Sequence, residues 1–193
     1  MTQKARRSPN RRFVQDPLLM TGTLNGKNIV VTGGTGALGS AVVGKLLSEG
    51  AVCHVPNSHA AAPPHFPFVD DKNVKLTHNV YLADADAVDS YYATVPELWA
   101  SIHLAGGFAA SAVEKTEAAS FDEMMETNVQ TAFLCCRASV RAMLATGAGG
   151  RIVNVSARPG LDPRRGSGMV AYATSKAAVA AMTVALAEEM KSK

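Results

Sequence analysis

Residues 32–39 read TGGTGALG, with four glycines (Gly33, Gly34, Gly36 and Gly39) set in a turn between two stretches of opposite character. Before it, residues 27–32 (KNIVVT) form a β-branched run suited to a buried strand. After it, residues 37–48 carry Leu38, Ala41, Val42 and Leu46 on a helical period. A turn from a first strand into a first helix needs glycine where the backbone bends tightly, where it approaches a pyrophosphate and where helix packs on strand. The helix N-terminus then offers free amides and a positive dipole to phosphate. This placement points to dinucleotide binding, with an ordinary glycine-rich turn as the competing reading. A phosphate-binding P-loop would end in Gly-Lys-Ser/Thr, and this motif does not.

Outward from the turn, strand-like apolar runs alternate with helical ones. Strands are expected at 51–55, 74–77, 98–104 and 151–155, and helices at 84–93, 121–145 and 170–190. Such alternation implies an α/β fold in which a parallel sheet is covered by helices on both faces. Two connections are rich in turn formers: 57–67 (NSHAAAPPHFP) with three prolines, expected on the surface, and 158–168 (RPGLDPRRGSG) with two prolines and three arginines.

A length of 193 residues with 47% hydrophobic content fits one globular domain and excludes disorder throughout. The charge is uneven: Lys4, Arg6, Arg7, Arg11 and Arg12 against Asp16 give residues 1–20 a net +4, leaving −1 for the rest. Residues 1–22 read as a basic disordered tail, with Met20 a candidate start, and residues 23–193 as the domain. A nearly neutral body argues against nucleic acid as a partner. The basic head lacks the apolar run of a secretory signal, and no stretch has the eighteen or so unbroken apolar residues of a membrane span. Cys53, Cys135 and Cys136 lack the spacing of a disulfide framework, which suits a reducing, cytoplasmic setting with the thiols as apolar filler. The five histidines are scattered, so no metal site is expected.

Near the end stands AYATSKAAVAAM, residues 171–182. Its alanines make a good helix, and Tyr172 and Lys176, four apart, then share one face. Spacing alone does not establish chemistry, because a Tyr with a Lys four residues on is common in any helical protein. The intervening chain adds HLAGG at 103–107 after the fourth strand, Asn128 in ETNVQTAF, and the strand RIVNVS ending at Ser156. Taken in order from about residue 24, these five features resemble the short-chain dehydrogenase/reductase family.

The resemblance implies a Rossmann-type three-layer α/β/α sandwich and an NAD(P)(H)-dependent oxidoreductase moving hydride between nicotinamide and a carbonyl or alcohol substrate. Tyr172 would be the general acid or base and Lys176 would bind the nicotinamide ribose and favour the tyrosinate. Ser156 would hydrogen-bond the reacting oxygen, and Asn128 would hold a water in the proton relay. Dinucleotide contacts would fall on Gly33, Thr35, Gly36, Ala37, Leu38, Gly39, Asn57, Asn79, Val80, Ala105 and Gly106, together with Tyr172 and Lys176. A homodimer or homotetramer through helices 121–145 and 170–190 is the implied assembly. NAD sites usually carry an acid about twenty residues beyond the turn. Here the region reads HVPNSH, with neutral Asn57 and Ser58 and no nearby arginine, a slight preference for NADP over NAD.

The sequence departs from the family pattern in four places. Ala37 replaces the commonest second glycine, His103 stands where Asn is usual, and Asn79 stands where an Asp commonly touches adenine. The spacing Gly33, Gly36, Gly39 and His103 are features of sugar-nucleotide epimerases and dehydratases, the alternative enzymatic reading. The fourth departure is length. The family continues beyond the YATSK helix into further strands that close the substrate pocket, so a truncated fold with an exposed fifth strand and little activity of its own is expected. A non-catalytic dinucleotide-binding module is the remaining alternative.

Overall fold

The computed structural model describes residues 22–193, so the basic segment 1–22, Gly22 apart, lies outside the described residues. The elements are β1 (Asn28–Thr32), α1 (Ala37–Ser48), β2 (Val52–Pro56), β3 (Val74–Thr77), α2 (Ala85–Ala93), β4 (Leu98–His103), α3 (Ala118–Met125), α4 (Thr131–Thr146), β5 (Arg151–Asn154), α5 (Arg158–Leu161) and α6 (Val170–Met190). All five strands are parallel, in the order β3-β2-β1-β4-β5. The chain steps outward from β1 to β3 and then crosses back to β4, so strand order reverses between β1 and β4. In open α/β sheets the crevice at the carboxyl ends of such a pair is where ligands sit. Here the pair is pinned at that end: Leu104 N donates to Thr32 O at 3.1 Å and Ala105 N to Thr32 Oγ1 at 3.2 Å.

Period-two alternation in β1 feeds two cores. Ile29 and Val31 are fully buried on the α1 side with Val43, Cys53 and Val55. Val30 points the other way, into a cluster with Val88, Tyr92 and Leu134 from α2 and α4. Burying each such aliphatic side chain contributes about 1.5–3 kcal/mol, which makes β1 the anchor of the Rossmann-type sandwich. α2 starts where Asp84 Oδ1 accepts from the amides of Asp86 and Ala87, both at 2.9 Å. Among the described residues β5 closes the sheet on one side, pairing with β4 alone, and Val153 on it is 47% exposed.

Three segments depart from what the sequence leads one to expect. The helix expected over 121–145 begins at Ala118 and widens into a π-turn at Glu126–Gln130 before continuing as α4. Residues 158–168 are not a plain loop: α5 and a 3₁₀ turn at Pro163–Gly166 fill it. Each has a proline in its first two positions, where a missing N–H costs nothing. The connection 57–67 is mostly exposed, but Phe66 is buried in the α1-side core and meets Phe68 edge to face at 5.8 Å. α6 is, among the described residues, the one helix long and apolar enough to cross a membrane. It carries buried Ser175 and Lys176 and packs against α3 and α5.

Candidate active site and dinucleotide cleft

The glycine turn lies at the carboxyl end of β1. Gly33 has φ +65, and a Cβ there would come within 2.7 Å of Ala105 N, so both the bend and the contact with the β4 loop demand glycine. Gly36 is the extended N-cap of α1 and supplies no side-chain cap; Gly36, Ala37 and Leu38 are exposed. The first amides of α1 are thus left free for an anion. Ala37 is accommodated because it is the first helical residue and keeps its N–H; Gly39, by contrast, is buried against Gly33 and Gly34.

Beside the turn a cavity of about 530 Å³ opens between the ends of β1, β2 and β4. Of the anticipated dinucleotide contacts, Gly33, Thr35, Asn57, Val80 and Ala105 line it. Gly36, Ala37, Leu38 and Gly39 belong to the α1 end of the turn, while Gly106 lies at the α6 end of the cleft. Asn79 instead takes a left-handed conformation (φ 58), and its N–H donates to His59 O at 3.3 Å, shaping the loop. Ser58, His59, Tyr81, Thr127 and Thr131 also line the cavity. Ser58 and His59 belong to HVPNSH and Thr127 and Thr131 to ETNVQTAF, but only the fold brings these stretches and Tyr81 to one wall.

At the α6 end the four candidate catalytic residues converge. Asn128, on the π-turn, is 1% exposed. Its Oδ1 accepts from Gly107 N at 3.0 Å, and its Nδ2 donates to Gly107 O at 3.1 Å and to Ser175 Oγ at 3.0 Å. Ser175 Oγ in turn donates to Tyr172 O at 2.8 Å. Asn128 therefore ties the β4 loop to the turn of α6 that bears the tyrosine. Lys176 is buried, its Nζ donating to Val155 O at 3.1 Å, and burial lowers its pKa. Gly106 lets this happen: a Cβ there would stand 2.6 Å from Asn128 Oδ1 and 3.3 Å from Lys176 Nζ. Ser156 Oγ donates to Lys176 O at 2.7 Å. Phe108, 64% exposed, lies edge-on to Tyr172 with ring centroids 4.9 Å apart.

His103 faces the sheet interior instead of the cleft. Asn154 Nδ2 donates to Thr183 Oγ1 at 3.0 Å, so its Oδ1 is the acceptor for His103 Nδ1 at 2.7 Å. Nε2 then accepts from Ser101 Oγ at 2.9 Å. Complete burial pushes this imidazole down to about 4. The thiols of Cys53 and Cys135 are pushed up to about 12 by burial, and Cys136 is raised as well, so none is poised as a nucleophile. Among the described residues no group of three or more His, Cys, Asp or Glu side chains converges as metal ligands.

A family model described as short chain dehydrogenase matches residues 27–193. The chain belongs to this family of oxidoreductases. It is 32% identical over 173 residues to an uncharacterized oxidoreductase of Escherichia coli strain K12, covering 83% of this chain and 69% of that protein. It is 30% identical over 179 residues to a probable short-chain type dehydrogenase/reductase of Bradyrhizobium diazoefficiens, covering 87% and 62%. A 3beta-hydroxysteroid dehydrogenase of Mediterraneibacter gnavus is 29% identical over 181 residues, with 89% and 63% covered. The chain thus spans about 62% of the length of several curated relatives that it matches. Among solved structures, a short chain dehydrogenase/reductase family protein superposes with a TM-score of 0.78 at 25% identity, covering 88% of this chain and 70% of that one. The serine dehydrogenase of Escherichia coli shares the fold with a TM-score of 0.76 at 18% identity, covering 84% and 76%. In this member of the family the cavity beside the glycine turn reaches Ala105 and Thr127, and the adjoining Gly106 and Asn128 meet Lys176 of α6.

Proposed function

We propose that the protein is an NAD(P)(H)-dependent oxidoreductase acting on a carbonyl or alcohol, with Tyr172 as general acid and base. The observation that carries this is the close approach at Gly106, where the β4 loop leaves room for Lys176 Nζ and Asn128 beside the helix that presents Tyr172. The residues fit a dinucleotide: uncapped amides at the start of α1 suit a pyrophosphate, and the cavity beside Gly33 is walled by Thr35, Asn57 and Val80. When bound, that cofactor supplies or accepts the hydride. Tyr172 gives its hydroxyl proton to the carbonyl oxygen in reduction and takes it back in oxidation. Lys176 holds the nicotinamide end, its Nζ standing at the β4 loop beside Gly106. Ser156 positions the reacting oxygen, and Asn128 anchors the water that refills the proton. To do so, Ser156 turns its hydroxyl away from the Lys176 carbonyl.

NADP is the proposed cofactor over NAD, because neutral Asn57 and Ser58 follow β2 where an acid would oppose a 2′-phosphate. Pairing of two or four copies through α4 and α6 is proposed, since Phe133 and Val184 on them are 52% and 68% exposed. A cytoplasmic setting is proposed from the three free thiols. The epimerase alternative drew on His103 and on the spacing of Gly33, Gly36 and Gly39; His103 here cross-links β4 and β5, which leaves that reading the spacing alone. A dinucleotide-binding module without turnover is favoured by one feature, the uncovered Val153 on the edge strand. Titrating the protein with NADPH and assaying a panel of aldehydes and ketones separates these readings. Binding with turnover that Tyr172→Phe abolishes supports the enzyme; binding with no turnover of any carbonyl supports the module.

A further inference from the structure

Phe108 stands in the loop that follows β4, in the stretch GGFAA at 106–110. Its ring is 64% exposed, which alone means little, since single exposed apolar side chains are common. Its backbone, however, is pinned on both sides. On one, Gly107 donates its N–H to Asn128 Oδ1 at 3.0 Å and accepts from Asn128 Nδ2 at 3.1 Å. On the other, Ser111 forms a parallel β-bridge with Met169, the N-cap residue of α6. The loop is thus laid against the start of α6, and the Phe108 ring meets Tyr172 at 78° with centroids 4.9 Å apart.

A ring held this way is neither core nor free surface. It packs on Tyr172, and most of the rest of it faces solvent. Gly106, Gly107, Ala109 and Ala110 flank it, so this wall offers apolar contact and no side-chain hydrogen bond. A carbonyl whose oxygen meets the Tyr172 hydroxyl carries its substituents past this wall. Aromatic pairs favour perpendicular or offset geometry and gain beyond the area they bury, so a third ring gains there what an aliphatic group of equal size does not.

We infer that Phe108 is a specificity-determining residue, a wall of the substrate site that favours a carbonyl or alcohol bearing an aromatic ring on the reacting carbon. This rests on the oxidoreductase reading above and adds the substrate class to it. The competing role for Phe108, as a prop for the tyrosine alone, predicts an equal loss for every substrate when the ring is removed.

The test compares NADPH-dependent reduction of benzaldehyde and cyclohexanecarbaldehyde, which match in size and differ in the π-face. The readout is the ratio of their kcat/KM values, in which intrinsic reactivity cancels between variants. Phe108→Leu is expected to lower the aryl-to-alicyclic ratio about threefold to tenfold, and Phe108→Tyr to keep it within about twofold, with Tm and NADPH Kd unchanged for both. A ratio that Phe108→Leu leaves unmoved overturns the inference, whether both aldehydes keep their rates or fall equally. If the wild-type protein reduces neither aldehyde, the oxidoreductase reading fails, and the aryl contact is decided by itself through saturation-transfer NMR on benzyl alcohol and cyclohexylmethanol, which needs no turnover. The aryl-to-alicyclic transfer ratio should then fall with Phe108→Leu and survive Phe108→Tyr; an unmoved ratio, or no transfer to benzyl alcohol, overturns the inference.

Discussion

At the α1 end of the cleft polar groups stand unspent, and at the α6 end they are committed to each other. The amides that open α1 have no side-chain cap, and a glycine at 33 brings the turn against the β4 loop. Across the crevice, Lys176 donates to Val155 O, Ser156 to Lys176 O, and Asn128 to Gly107 and Ser175. A phosphate can be received at the first end without breaking a contact. On the proposed reading, chemistry at the second has Ser156 and Lys176 trade backbone partners for ligand, at roughly the cost of a hydrogen bond each, about 0.5–1.5 kcal/mol. Binding and catalysis should therefore separate cleanly under mutation.

The largest effect expected is on turnover. Tyr172→Phe removes the proposed proton donor and should lower kcat by about 10²–10⁴-fold while leaving NADPH Kd within about threefold. Next comes Gly33→Ala, which must fit a methyl 2.7 Å from Ala105 N at a positive φ. It should weaken dinucleotide binding by about a hundredfold, some 2.7 kcal/mol, visible in the same titration. If Tyr172→Phe loses binding instead, the two ends are not separable.

A third effect is on stability. His103 is held neutral in the fold at about 4, below its ordinary value of 6.5, so the unfolded chain takes up the proton first as pH falls. Stability from this group is complete above pH 6.5 and is lost as pH drops toward 4, by about 3 kcal/mol at most. Thermal melts between pH 7 and pH 4 should show the loss, and His103→Asn should flatten it. The smallest effects compare the closed and open parts of the sheet. Val55→Ala, fully buried, should cost about 2–3 kcal/mol, whereas Val153→Ala, 47% exposed, should stay within about 1 kcal/mol.

Much of the fold was legible because its signals are local. The β-branched run before TGGTGALG, the capping Asp84 and the alanine-rich 170–190 each declare their element without reference to distant residues. What was not legible depends on meetings across the chain. Nothing in ETNVQ announces a π-turn, yet it is on that turn that Asn128 reaches Gly107 and Ser175. Asn57 reads as a ribose ligand from its place after β2, and only the curl of 57–61 shows its Nδ2 donating to the His59 and Ala61 carbonyls. His103 reads as a departure at the cleft, whereas its partners Ser101 and Asn154 hold it in the sheet. The prolines at 159 and 163 look like loop formers until they fall at helix starts.

The separation of the two ends is tested most directly by calorimetric titration of NADPH into three proteins: wild type, Tyr172→Phe and Gly33→Ala. Saturable binding to the first two with closely similar Kd, and its loss in the third, is the expected result. Binding that survives Gly33→Ala or disappears with Tyr172→Phe would contradict it.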